Sequence, residues 1–74
     1  MSIEIQLDRI LVERKMQLSH LADAVEVSIV NLSNIKTGKI KAIRFSTLNA
    51  ICRVLKCQPG DIIKYIDDDI AIDD

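Results

Sequence analysis

Basic and amide side chains between residues 27 and 60 are the part of this sequence whose types and spacing point to chemistry. The segment holds six Lys and Arg and no Asp or Glu, whereas the whole chain of 74 residues has a formal net charge of -1. Such a local concentration of positive charge favours a polyanionic partner, and the phosphates of duplex DNA are one. We expect the clustered cations to contact phosphate; they are Lys36, Lys39, Lys41 and Arg44.

The residues just before these cations have side chains that suit base edges in the major groove. Small hydroxyl and amide side chains predominate there, at Ser28, Asn31, Ser33, Asn34 and Thr37. An Asn amide can form two hydrogen bonds with adenine, and an apolar side chain such as Ile29 or Val30 can contact a thymine methyl. Asn31 and Asn34 are also open to a plainer interpretation as solvent-facing residues.

Apolar periodicity indicates which elements must position these side chains. The predicted helices cover about residues 8–15, 18–25, 29–36 and 47–56, and a short fifth helix opens at Gln58-Pro59. We predict that Asp8, Ser28 and Ser46 are N-cap residues, because their side-chain oxygens can accept hydrogen bonds from free backbone N–H groups. Gly38 follows the third helix, where a left-handed residue is needed to end it.

The second and third helices have the layout of a helix-turn-helix. An unbroken apolar stripe runs along the second helix at Leu18, Leu21, Ala22 and Val25. The third helix has only a thin apolar seam, at Leu32 and Ile35, so most of its surface is left exposed. In this motif the first helix braces the second, which lies in the major groove. We therefore predict that the third helix reads duplex DNA.

Length and composition restrict the protein to a few classes. Residues 1–74 are expected to form a single small domain, with a core over about 8–66 and an acidic tail over 67–74. The chain lacks an apolar run of ~20 residues and a secretory signal, so we expect a soluble, cytoplasmic protein with no membrane partner. Cys52 and Cys57 are expected to be reduced packing residues.

Catalytic and cofactor sites are not expected. His20 is the only histidine, and no nearby cysteine pair would complete a metal site around it. Gly38 and Gly60 are isolated, so they do not form a Gly-rich phosphate loop. The sequence thus indicates a protein that is not an enzyme, with no cofactor, metal ion or evident small-molecule ligand.

Three segments, NLSNIKTGK, KAIRFSTL and CQPGDI, resemble the Cro/repressor-type (XRE-like) helix-turn-helix family of bacterial and phage regulators. The likeness runs from Leu11 to Tyr65 and is closest to short single-domain members. It implies an all-α, lambda-repressor-like bundle of five helices. By position, it implies that the base-facing residues are Ile29, Val30, Ser33 and Asn34. It also matches Lys39, Lys41 and Arg44 to a phosphate-contacting loop, and Ser28, Lys36 and Thr37 complete the expected phosphate contacts.

Three features depart from the family pattern. Glu26 stands where the family usually has glycine in the turn, so either Glu26 is left-handed at some cost or the turn differs. Gln17 and His20 replace the usual Ser or Thr and Glu of a capping box. Ile29 and Val30 make the base-facing start of the third helix apolar, which shifts the expected readout towards methyl contacts and DNA shape.

The chain termini are candidates for a small two-stranded ribbon, as in some short relatives. Ile3 and Ile5 alternate with polar residues, which is typical of a short strand or an extended arm. By resemblance we expect residues 2–6 to pair with a strand near 64–67 or, as the alternative, near 70–72.

The resemblance implies a sequence-specific transcriptional regulator that binds double-stranded DNA, acts as a repressor and forms a homodimer on half-sites about 34 Å apart. The interface candidates lie in the fifth helix and after it, at Ile62, Ile63, Tyr65 and Ile66. The alternative is a protein-interaction module, such as an antitoxin that binds DNA only weakly. The same fold can serve either function, and the acidic tail would suit the second.

Overall fold

Five helices and one antiparallel ribbon form within residues 2–67, the part of the chain that this computed structural model describes. In chain order the elements are β1 (Ser2–Ile5), α1 (Leu7–Arg14), α2 (Leu18–Val25), α3 (Ile29–Lys36), α4 (Phe45–Leu55), α5 (Pro59–Ile62) and β2 (Ile63–Ile66). The predicted bounds of the second and third helices are confirmed. The expected five-helix bundle with a terminal ribbon is also confirmed.

The core forms where the apolar stripes of the helices meet. α2 packs on both α3 and α4, and α1 contacts α3, α4 and α5. The fully buried side chains are Leu7, Leu21, Leu32, Ile51, Leu55 and Ile62. Truncating one such Leu or Ile to Ala typically costs about 2–5 kcal/mol, so each of these residues contributes strongly to the stability of the bundle.

The helices end in a shared way that turns the chain sharply. Lys15, Glu26 and Lys56 follow α1, α2 and α4 in left-handed backbone conformations, and Gly38 takes this place after α3. In each case the next residue donates its backbone N–H to the carbonyl five positions earlier, as Val27 does to Ala22 at 3.1 Å. Met16, Val27 and Cys57 then pack against the core, and this anchors three of the four turns.

Glu26 adopts the strained conformation that the sequence left open. Its φ of 58° and ψ of 41° lie in the left-handed region, which costs a residue with a Cβ atom about 1–2 kcal/mol. Val27 is half-buried against the core, so its burial offsets part of this cost. The turn between α2 and α3 is thus left-handed at Glu26, without the glycine that the resemblance led us to expect.

A guanidinium group joins the first helix to the fourth. Arg14 Nε donates a hydrogen bond to the carbonyl of Leu55 at 2.8 Å, and Nη2 donates to that of Lys56 at 3.4 Å. A cation here satisfies carbonyls left free at the end of α4 and interacts favourably with the negative end of its dipole.

Two of the three predicted N-caps are wrong. α1 begins at Leu7 with Gln6 as its N-cap, because Leu7 is fully buried and already belongs to the helical stripe. Asp8 therefore lies within the first turn. α4 begins at Phe45, and the N–H of Leu48 bonds to the carbonyl of Arg44 at 3.0 Å, which places Ser46 inside the helix.

The ribbon pairs the two ends of the described chain. Its register places Ile3 opposite Tyr65, Glu4 opposite Lys64 and Ile5 opposite Ile63. Pairing near residues 64–67 is thereby confirmed, one residue early, while the alternative near 70–72 lies outside the described residues. Ile5 and Ile63 pack against the core and attach the ribbon to the bundle.

Replacing Glu26 by glycine is expected to raise the free energy of unfolding by about 1 kcal/mol, because glycine adopts positive φ without a Cβ clash. Ala24→Gly is a matched control at an exposed helical residue of α2 and should lower the same free energy by up to about 1 kcal/mol. Urea denaturation measures both variants. Equal losses of stability would contradict the left-handed turn.

Ser28 and Ser46 provide a second matched pair. Ser28→Ala is expected to lower the free energy of unfolding by about 1 kcal/mol, because the Ser28 side chain caps α3. Ser46→Ala should change it by less than about 0.5 kcal/mol, because Ser46 is exposed and is not the cap of α4. Thermal or urea unfolding gives both values, and a larger effect at Ser46 would show that α4 begins later.

Candidate nucleic-acid interface

The third helix divides cleanly into a core face and an outer face. Leu32 and Ile35 are buried against the bundle. On the opposite side Ile29 is 49% exposed and Val30 is 66% exposed. Ser33 and Asn34 are half-buried on the same outer side, because residues three and four positions apart share one surface of a helix. The four predicted base-facing side chains therefore form one continuous surface.

The hydroxyl groups of Ser28 and Thr37 lie at the two ends of α3 and differ in whether their proton is already used in a hydrogen bond. Ser28 Oγ accepts a hydrogen bond from the N–H of Asn31 at 3.1 Å, so its own proton is left for another acceptor. Thr37 Oγ1 instead donates to the carbonyl of Ser33 at 3.0 Å. A phosphate could take a proton from Ser28 at once, whereas Thr37 would first have to give up an intrahelical bond.

Gly38 sets the exit of the chain from α3. Its φ is 75°, and its N–H bonds to the carbonyl of Ile35 at 3.1 Å. The N–H of Lys39 bonds to the carbonyl of Asn34 at 2.9 Å, which completes a left-handed helix end. The basic loop that follows begins directly beside the end of the outer face.

A groove of about 510 Å³ runs between α3 and the start of α4. Asn31 and Asn34 lie on its α3 side, and Arg44 and Thr47 lie on its α4 side. The sequence made Asn31 a candidate for base contact, although it is not one of the four base-facing positions that the family resemblance implies. Thr47 was not predicted, because its place in the groove depends on how the loop folds back.

Glu26 also lines this groove. Its carboxylate is exposed, so it brings a negative charge to the edge of an otherwise basic and neutral surface. Such a charge repels phosphate and narrows the part of the surface that a DNA backbone can approach.

The predicted phosphate-contacting cations do not all lie together. Arg44 borders the groove beside α3, whereas Lys36 and Lys41 line a second cleft between the loop and the ribbon. Lys36 Nζ lies 3.7 Å from the Asp8 carboxylate, so α1 already supplies it with a partner. Lys39, Lys41 and Arg44 are exposed and have no ion-pair partner within residues 2–67. These three cations remain open to an external anion.

Metal-binding clusters and membrane-spanning helices are both absent from the described residues. Residues 2–67 contain no group of three or more His, Cys, Asp or Glu side chains arranged to hold a metal ion. Over the same residues, the helices are too short or too polar for any of them to cross a bilayer.

Known proteins of similar sequence and fold identify the family of this chain. The chain is 51% identical over 69 residues to YozG, an uncharacterized HTH-type transcriptional regulator of Bacillus subtilis (strain 168), in an alignment that covers 93% of this chain and 82% of YozG. A crystal structure (form II) of the transcriptional regulator VanUg is similar with a TM-score of 0.70 and 32% identity, covering 86% of this chain and 84% of that one. The family model of the Cro/C1-type HTH DNA-binding domain matches residues 6–68. This chain therefore belongs to the Cro/C1-type family of HTH DNA-binding domains.

Proposed function

We propose that this protein is a sequence-specific transcriptional regulator that reads the major groove of duplex DNA with α3. The observation that carries the proposal is the outer face of α3, which is exposed at Ile29 and Val30 and carries no charged side chain from residue 29 to residue 34. Arg44, which has no ion-pair partner among residues 2–67, borders this face. A neutral helix surface flanked by cations lets base edges approach closely while phosphates are held at the sides.

Bases and phosphates would be contacted by different residues. Ile29 and Val30 would meet thymine methyl groups, and Asn34 would form paired hydrogen bonds with adenine. Ser28 and Arg44 are the best-placed phosphate contacts, since each has a free donor beside the outer face of α3. Lys39 and Lys41 extend the positive field along the loop and add affinity that carries no sequence information.

Lys36 and Thr37 are weaker candidates for phosphate contact. Lys36 would exchange the Asp8 carboxylate for a phosphate, and Thr37 would give up its bond to Ser33. Breaking these existing bonds reduces the net free energy that each phosphate contact would contribute to binding. We therefore rank these two residues below Arg44.

Repression by occupancy is the regulatory mode that we propose. A protein held on an operator through α3 and the basic loop excludes polymerase from the same DNA. This step needs no ligand and no catalytic group, and it suits a chain for which neither was predicted.

A homodimer would give such a short reading helix enough specificity. Two copies related by a two-fold axis read two half-sites, and the number of specific contacts doubles. Ile62 is wholly buried within the monomer, and Ile63 packs on its core, so the interface would rest on other residues. Tyr65 and Ile3 are cross-strand neighbours, 56% and 63% exposed, and form an apolar pair for a partner to cover.

Paired substitutions separate base contacts from phosphate contacts. Asn34→Ala should cost about 1–3 kcal/mol on the preferred duplex and relax one base preference. Arg44→Ala should weaken all duplexes alike and reduce the slope of log affinity against log salt by about one unit. Arg53→Ala is the matched control and should change neither quantity, because Arg53 lies near the other end of α4 from its N-cap Arg44 and does not line the groove. Fluorescence anisotropy at several salt concentrations gives all three.

Two results would contradict the proposal. An unchanged base preference in Asn34→Ala would show that α3 presents a different face to DNA. Weak binding of every duplex, with no salt dependence in the unaltered protein, would favour the protein-interaction module instead.

The dimer has its own test. Tyr65→Ala should shift the protein towards monomer in sedimentation equilibrium and weaken binding to a two-half-site duplex more than to a single half-site. Val12→Ala is the control, because Val12 is a 71% exposed apolar residue on α1, away from the ribbon. An equal shift of the monomer–dimer equilibrium in both variants, or no shift in either, would show that the interface is not formed by the Tyr65–Ile3 pair.

A further inference from the structure

Two cysteines meet at the corner between α4 and α5. Cys52 lies in the last turn of α4, and Cys57 follows the left-handed residue Lys56. The N–H of Cys57 donates to the carbonyl of Cys52 at 3.1 Å, which folds the chain back so that the two residues are neighbours. Their side chains occupy positions where this kind of helix end usually places an apolar contact.

The two cysteine side chains line the same groove and are accessible from solvent. Both are free cysteines with half-buried side chains, and the backbone bond between them makes them neighbours. Both line an open groove together with Asn49, Arg53 and Pro59, so a small molecule in solvent can reach them. Burial, and then the neighbouring Cys52 thiol, raises the pKa of the Cys57 thiol.

The surrounding chain holds this corner in place from both sides. Arg14 donates hydrogen bonds to the carbonyls of Leu55 and Lys56, which lie between the two cysteines. After Cys57, the N–H of Gln58 donates to the Asp61 carboxylate at 2.9 Å and starts α5. The cysteine pair is therefore brought together by the native fold, and closing a bond between the sulfurs requires little further ordering.

We propose that Cys52 and Cys57 form a thiol modification site at which a low-molecular-weight disulfide, such as oxidised glutathione, leaves an intramolecular disulfide. One cysteine thiolate attacks a sulfur of the oxidant, its S–S bond breaks, and one small thiol leaves after taking up a proton. The second cysteine then attacks the protein sulfur of the mixed disulfide and expels the second small thiol. The protein loses two electrons and two protons, and the oxidant gains them.

The second step is the one that the structure favours. An attacking sulfur already beside its target reacts as an intramolecular group, whereas a second small thiol must diffuse to it. The mixed disulfide should therefore be short-lived in the native protein. The resulting disulfide would link the last turn of α4 to the start of α5. This corner lies away from the groove beside α3, so the disulfide would form independently of DNA binding.

The test treats the reduced, full-length protein with oxidised glutathione, quenches it with acid and measures the intact mass. We expect a monomer that has lost two hydrogen atoms, carries no glutathione and has no titratable thiol, with full reversal by dithiothreitol. Cys52→Ser and Cys57→Ser should instead retain one glutathione, because each lacks the second sulfur. The oxidised protein should also show slower hydrogen exchange at the amide of Cys57.

A control with denatured protein shows whether disulfide closure depends on the native fold or only on the short spacing of the two cysteines in the sequence. In concentrated urea the same reaction should give a ratio of closed disulfide to glutathione adduct about tenfold lower than in native buffer. An equal or higher ratio in urea would overturn the proposal. Stable glutathione adducts on both native cysteines, unreacted thiols or disulfide-linked dimers would overturn it as well.

Discussion

The left-handed backbone at Glu26 is the constraint on which the outer face of α3, the surface that we propose for DNA, depends. It closes α2 through the bond from Val27 to Ala22, turns the chain, and leaves Ser28 extended to cap α3. Burial of Val27 and Leu32 offsets the strain of a residue with a Cβ atom at positive φ. With this turn in place, α3 buries its thin apolar seam and presents Ile29 to Asn34 outward; a different turn would rotate that face into the bundle or away from the basic loop.

The cations of this protein fall into two groups: some have a partner within the fold, and others can bind an external anion. Lys36 forms an ion pair with Asp8, and Arg14 donates hydrogen bonds to the carbonyls of Leu55 and Lys56. These two cations therefore mainly stabilise the fold. Lys39, Lys41 and Arg44 have no ion-pair partner in the part of the chain that the structure describes, so an external anion can bind them. Glu26 introduces an opposing charge at the groove edge. A protein with a nearly neutral net charge can in this way present one surface to a polyanion while the rest remains indifferent to it.

Local signals in the sequence were enough to predict the bounds of α3 but not the residues that surround it. Ser28 and Gly38 mark the ends of α3 through short-range chemistry, so the predicted and observed bounds coincide. Asp8 and Ser46 have equally good capping side chains, yet burial of Leu7 and the backbone bond at Arg44 begin α1 and α4 earlier. The Asp8–Lys36 pair joins distant segments, and the groove around Asn31 and Thr47 needs the folded loop; no periodicity predicts either.

The proposed DNA-binding surface can be mapped most directly by NMR, from the changes in backbone amide chemical shifts when the protein is titrated with a duplex that it prefers. We expect the largest changes within residues 28–44, including Asn31 and Asn34, and almost none at Val12 or Arg53. Changes concentrated on the ribbon or at the α4–α5 corner, with the amides of α3 unmoved, would contradict the central claim that α3 and the loop after it form the interface.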